Sequence, residues 1–156
     1  MLKVVILGHG AMLANLIAGV MDSGCEIVGV MRYDRLRKSN LKTWFHDYFL
    51  PSKEFSYIKS YKLHEIRAKS ANSKIFKREI LRLNADIIIV GTWGEKLTKA
   101  TIDLPKIATI NVHPSLLPKY RGPNPYLQVI KNLETKTGLT FHPLNEKSNL
   151  FLFQDF

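Results

Sequence analysis

Two side chains of this 156-residue chain, Asn111 and His113, form its strongest pairing for chemistry. They open the segment Asn111-Val-His-Pro-Ser-Leu-Leu-Pro-Lys-Tyr-Arg-Gly122. In an extended strand, residues two apart point to the same side, so a carboxamide and an imidazole project together. Such a pair can donate hydrogen bonds to one developing oxyanion. Pro114, Pro118 and Gly122 restrict the loop that follows and keep it from folding back over the pair. A lone histidine at a strand end is more often a satisfied structural residue. Here two polar side chains and a stiff loop converge at the C-terminal side of an expected parallel strand, where open α/β sheets place ligands. Function is the stronger reading.

A weaker signal is Gly8-His9-Gly10, which follows the first apolar run. It has two of the three glycines of a dinucleotide-binding turn, with Leu13 in the third position. Asp34, the first acidic residue after the second expected strand, could contact a ribose. A tight strand-to-helix turn needs such glycines whatever it binds, and the helix start could equally hold a phosphate of another substrate. His9, His46 and His64 have no partner visible in sequence and read as structural or surface residues. No metal-ligand spacing occurs.

The elements that must position these residues are short apolar strands alternating with helical segments. Lys3 to Leu7, Glu26 to Val30, Asp86 to Val90 and Thr109 to Val112 are β-branched runs expected to be buried strands. Between the first two, Leu13, Leu16, Ile17 and Val20 fall at helical spacing, and Gly24 ends the helix. Arg35 to Phe49 reads as a loop and helix closed by Pro51, and Tyr57-Ile58 as a short strand. Ser73 to Leu83 reads as a helix with Ile75, Phe76, Ile80 and Leu83 on one face. Pro125 to Leu133 can open as a helix with proline in its first turn. Gly138 to Phe141 and Leu150 to Phe153 read as closing strands. The alternation predicts an α/β fold, a Rossmann-like, mostly parallel, doubly wound sheet.

At this length one domain with one core is expected, and a 46% apolar fraction excludes wholesale disorder. No apolar run approaches the roughly 20 residues of a membrane-spanning helix. The opening residues lack the pattern of a signal peptide. Cys25 is alone, so no internal disulfide or thiolate cluster can form, which favours a reducing cytoplasm. Lys and Arg outnumber Asp and Glu by 23 to 13, a formal charge of +10 that would attract a phosphorylated substrate or RNA. The basic residues are spread from Arg32 to Lys136 rather than packed in one block, so solvated surface lysines explain the charge equally well.

The Asn111 to Gly122 segment resembles the signature of the 10-formyltetrahydrofolate-dependent formyltransferases. This family includes methionyl-tRNA, glycinamide ribonucleotide and nucleotide-sugar formyltransferases. Asn111, His113, Ser115-Leu-Leu-Pro118 and Tyr120-Arg-Gly122 carry the likeness. Val90-Gly-Thr-Trp-Gly-Glu-Lys-Leu97 and Gly138-Leu-Thr-Phe-His142 extend it from the first strand to about residue 150.

The resemblance implies that Asn111 and His113 polarise the formyl carbonyl of 10-formyltetrahydrofolate while a substrate amine attacks it. It implies a folate pocket walled by Trp93 and Leu97 on one side and Leu144 and Asn145 on the other. For Trp93 and Leu97, ordinary core packing is the plainer alternative. Arg121 would contact an anionic substrate or brace its loop. The third catalytic position, seven residues beyond His142, calls for an aspartate and holds Asn149. The Asp-(Thr/Ser)-Gly pattern expected there is Asn149-Leu-Phe151. An asparagine keeps the shape but cannot stabilise an imidazolium or accept a proton.

The acceptor expected is methionyl-tRNA. An amino-sugar nucleotide is an alternative suggested by Arg121-Gly-Pro-Asn-Pro-Tyr126, and glycinamide ribonucleotide is another. A domain that binds folate or a partner without chemistry is the alternative of a different class, and an NAD-binding module a third. The chain is expected to be a single catalytic domain over 1–156, shortened at its C-terminal end and without a β-rich C-terminal domain. Its apolar run from Leu150 to Phe156 is expected to form a homodimer through Phe151, Phe153 or Phe156.

Overall fold

Four of the apolar runs become parallel strands: Lys3–Gly8 (β1), Glu26–Arg32 (β2), Ile87–Gly91 (β3) and Ala108–His113 (β4). Thr140–Pro143 (β5) pairs antiparallel with β4, giving the order β2-β1-β3-β4-β5. The computed structural model describes residues 1–33, 45, 47–122 and 124–145. Its helices are Gly10–Asp22 (α1), Lys53–Ser60 (α2), Lys74–Leu83 (α3), Lys99–Ile102 (α4) and Pro125–Lys131 (α5). The fold is α/β and Rossmann-like, with the mostly parallel sheet that the alternation implies.

The period of two along β1 divides the core. Val4 and Ile6 face Leu13, Ile17 and Val20 of α1 and Ile58 of α2. Val5 and Leu7 face the other way, into a cluster with Phe76 and Ile80 of α3, Ile102 of α4 and Leu97. A strand covered on both faces has to be apolar throughout, which is why β1 and β3 read as unbroken runs rather than alternating ones.

Three expectations are corrected. Tyr57 and Ile58 lie in α2, not in a strand. Ser52 caps that helix, its side chain accepting from Phe55 N, and Glu54 in the first turn suits the positive end of the helix dipole. Ile75 is 51% exposed. It precedes Phe76 by one residue, and the face that Phe76 and Ile80 set turns Ile75 outward. The closing strand starts at Thr140, not Gly138. Asp34, His46, Asn149 and the run from Leu150 to Phe156, with its strand and dimer contacts, lie outside the described residues. Among the described residues no helix is long and apolar enough to cross a membrane.

One glycine is required by a close backbone approach. A Cβ on Gly8 would sit 2.7 Å from the carbonyl oxygen of Gly91, its partner across β1 and β3. Backbone cannot swing aside as a flexible side chain does. Gly8→Ala is therefore expected to cost about 1–3 kcal/mol of stability, in the range of other overpacking substitutions. Thermal unfolding of the two proteins measures it, and equal melting temperatures would show that the strand ends can part.

Candidate functional site

The C-terminal ends of β1, β2, β3 and β4 open onto a cavity of about 430 Å³. A parallel sheet directs all its strand ends, and the loops leaving them, to one rim. His9 enters from β1, Tyr33 from β2, Thr92 to Glu95 from β3, and Asn111 to Pro114 from β4. Gly122 and Asn124 to Tyr126 close the side nearest α5, and Leu144 follows β5.

The expected pair is brought together with a third polar group. Asn111 lies opposite His142 in the β4–β5 register, and its Nδ2 donates to His142 Nε2 at 3.2 Å. His113 is 5% exposed, and its Nε2 lies 2.9 Å from the Tyr120 carbonyl oxygen. A carbonyl only accepts, so this contact assigns the proton to Nε2 and leaves Nδ1 with the lone pair. Burial pushes the imidazole below the ordinary histidine value, and nearby His142 pushes the same way, against the opposite pull of the Tyr120 carbonyl. His113 is thus a neutral base rather than a charged one near pH 7.

The loop after β4 is braced as its prolines suggest. Ser115 Oγ donates to the Lys119 carbonyl at 2.8 Å, and Tyr120 Oη to Glu134 Oε1 at 2.6 Å. Thr140 Oγ1 donates to the Ser115 carbonyl at 2.7 Å, tying β5 to the same loop.

The expected apolar walls are partly in place. Trp93, Leu97 and Leu144 all line the cavity. Leu97 and Leu144 also belong to the core, so the packing and pocket readings hold together for them. Trp93 Nε1 is buried with no hydrogen-bond partner among the described residues. A buried donor without an acceptor is costly, and such groups concentrate where ligands bind. Asn145 and Arg121 are exposed and not among the cavity-lining residues, although Gln128 Nε2 donates to the Arg121 carbonyl at 3.1 Å.

The model of the family described as "Formyl transferase" matches residues 2–149. The chain belongs to that family. A methionyl-tRNA formyltransferase of Clostridioides difficile is 34% identical over 145 residues, covering 93% of this chain and 45% of the relative. Another from Thermotoga maritima is 28% identical over 144 residues, covering 92% and 44%. The chain thus spans less than half the length of the curated relatives it matches. Among solved structures, a phosphoribosylglycinamide formyltransferase of Anaplasma phagocytophilum superposes with a TM-score of 0.70 at 21% identity, covering 93% of this chain and 65% of its own. A sugar N-formyltransferase of Shewanella sp. gives 0.57 at 20%, covering 94% and 52%. At these identities the superpositions speak for the fold alone.

Within this family frame, sequence reasoning missed Tyr33, His9 and Tyr126 as cavity residues. Tyr33 packs against Trp93 in a tilted arrangement, ring centroids 5.0 Å apart and planes at 59°, and a Cβ on Gly94 would sit 2.7 Å from the Tyr33 hydroxyl. The available signal was position alone: Tyr33 is the first residue after β2, as His9 is after β1. His64, read as a surface residue, is indeed outside the cavity and lies 3.3 Å from Glu79 on α3.

The glycine turn is also explained without a dinucleotide. Gly10 has φ +61°, and its N–H donates at 3.1 Å to Oε1 of Glu54, a buried carboxylate from α2. Leu13, where the fingerprint has its third glycine, is wholly buried in the core. A pyrophosphate on α1 would meet a like charge already bonded to the first-turn N–H.

Proposed function

We propose that this domain transfers a formyl group from 10-formyltetrahydrofolate to a primary amine, with methionyl-tRNA as the acceptor. The observation that carries the reading is Asn111 and His113 at the end of β4, beside an apolar wall of Trp93, Leu97 and Leu144 in one cavity. The amine nitrogen attacks the formyl carbon, the carbon–nitrogen bond to the folate breaks, and the carbonyl oxygen carries negative charge in between. Asn111 Nδ2, now shared with His142, is the donor for that oxygen. The resemblance implies that His113 also polarises the carbonyl, but its Nε2–H is already held by the Tyr120 carbonyl. Neutral through burial, it instead takes the proton released by the amine on Nδ1 and returns it to the departing folate nitrogen, so no net proton is consumed. Asn149 stands where the resemblance places an aspartate, and the proposed activity is correspondingly low.

The formal charge of +10 suits an RNA acceptor. A nucleotide sugar is the second reading, because Asn124, Pro125 and Tyr126 of the segment that resembles sugar formyltransferases line the cavity. A folate-binding domain without chemistry is the third, favoured by Asn149.

Titration with a 10-formyl folate analogue is expected to saturate, whereas NADH is expected not to bind, since Glu54 holds the α1 start. Saturable NADH binding without folate binding would overturn the reading. Formyl-transfer assays against methionyl-tRNA, an amino-sugar nucleotide and glycinamide ribonucleotide then identify the acceptor. Folate binding with no transfer to any of them would select the binding-only domain.

A further inference from the structure

The segment from Thr92 to Thr98 forms a wall of the cavity without belonging to a helix or strand. The β3 ladder ends at Gly91, and Thr92 enters the left-handed region at φ +56°. Residues 70–72, which precede α3, hold the segment across 23 to 26 positions of sequence. Asn72 Nδ2 donates to Glu95 Oε1 at 3.0 Å and to the Lys96 carbonyl at 2.9 Å. Its Oδ1 accepts from Thr98 N at 2.8 Å and from Thr101 Oγ1 at 2.9 Å. All four hydrogen-bonding positions of the carboxamide are used, two as donor and two as acceptor. Glu95 in turn accepts from Ala71 N at 3.0 Å and from Ser70 Oγ.

We infer that Asn72 is a positioning residue: its carboxamide latches the Thr92 to Thr98 segment so that Trp93 and Leu97 stand as a preformed ligand wall. No other side chain type offers two donors and two acceptors in this planar arrangement at this length. Asn72 itself is not a cavity-lining residue, so its effect passes through the backbone it holds. The inference rests on the proposed folate pocket for its ligand. The latch itself is visible without one, in the protection of the Thr98 amide.

The test combines amide hydrogen exchange on the free protein with titration of a 10-formyl folate analogue. In Asn72→Ala the Thr98 amide is expected to exchange faster. If the formed wall falls to about one tenth of the population, apparent affinity falls about tenfold, because apparent Kd scales inversely with the competent fraction. The transfer rate at saturation is expected to stay within about threefold of native, because ligand binding selects the formed wall.

Asn72→Asp serves as the second variant. It keeps the acceptor for Thr98 but loses both donors and sets a second carboxylate against Glu95. One of two such carboxyls is held protonated to higher pH than usual, so the deficit relative to native should shrink between about pH 8 and pH 5.5. Faster Thr98 exchange with unchanged folate affinity would overturn the positioning role, as would a deficit in Asn72→Asp that does not move with pH. If the native protein binds no folate analogue, the folate reading fails. The latch is then judged by Thr98 exchange alone, and unaltered exchange in Asn72→Ala refutes it.

Discussion

Asn149→Asp is expected to raise the rate of formyl transfer, by up to about 10²–10⁴-fold, the usual worth of a positioned acid–base group. The expectation rests on the position seven residues beyond His142, where the resemblance calls for an aspartate and the sequence has asparagine. A carboxylate there would stabilise the imidazolium of His113 after it takes the amine proton, which a carboxamide cannot do. Steady-state rates of the two proteins, measured with the best of the three acceptors, decide the matter. A native protein that already transfers formyl groups at the rate of the aspartate variant would refute the role given to this position. Leu150 and Phe151 also depart from the family pattern. A structure of the variant, asking whether residue 149 faces His113, therefore separates a misplaced carboxylate from an irrelevant one.

His113→Ala, made in the aspartate background, is expected to lower kcat by about 10²–10⁴-fold while leaving folate affinity within a few-fold. In the native protein, where no carboxylate at position 149 opposes it, the pH dependence carries the sign of the His113 shift. Burial depresses the folded-state value below 6.5, so the neutral base persists to lower pH than a free imidazole would allow. The rate should be flat near neutrality and fall only on the acid side of about 6.5, the ordinary histidine value. Stability follows the same direction. As pH falls from that value towards the depressed one, the unfolded chain binds the proton that folded His113 refuses, and folding stability is lost. Both inflections should vanish when His113→Ala is made in the native sequence. An alanine variant that keeps the acid limb would place the titration on another group.

Local patterns announced the elements with local causes. The β-branched runs of β1, β3 and β4 and the helical spacing of Leu13, Ile17 and Val20 are legible because burial on one or both faces dictates them. The Tyr57-Ile58 pair was misread because two residues of high strand propensity outweighed the cue of Ser52 as a helix cap after Pro51. Within the site, Asn111 and His113 were legible because their spacing and the proline loop lie in one segment. Tyr33 against Trp93 and Asn72 against Glu95 were not. These contacts join loops from different strands and helices, and no short-range period records which loops the sheet order will bring together.

The bond from Gly10 to Glu54 makes the α1 start self-sufficient. An anion tethered to the same fold acts at a high effective concentration and is never diluted away. A fold whose helix start waits for a soluble phosphate gains stability only when that ligand is supplied, and so rises and falls with its concentration. Here the counter-charge is encoded in the chain, so the integrity of this corner of the sheet is decoupled from nucleotide supply. Occupancy of the cavity by the proposed donor and acceptor is then independent of that supply.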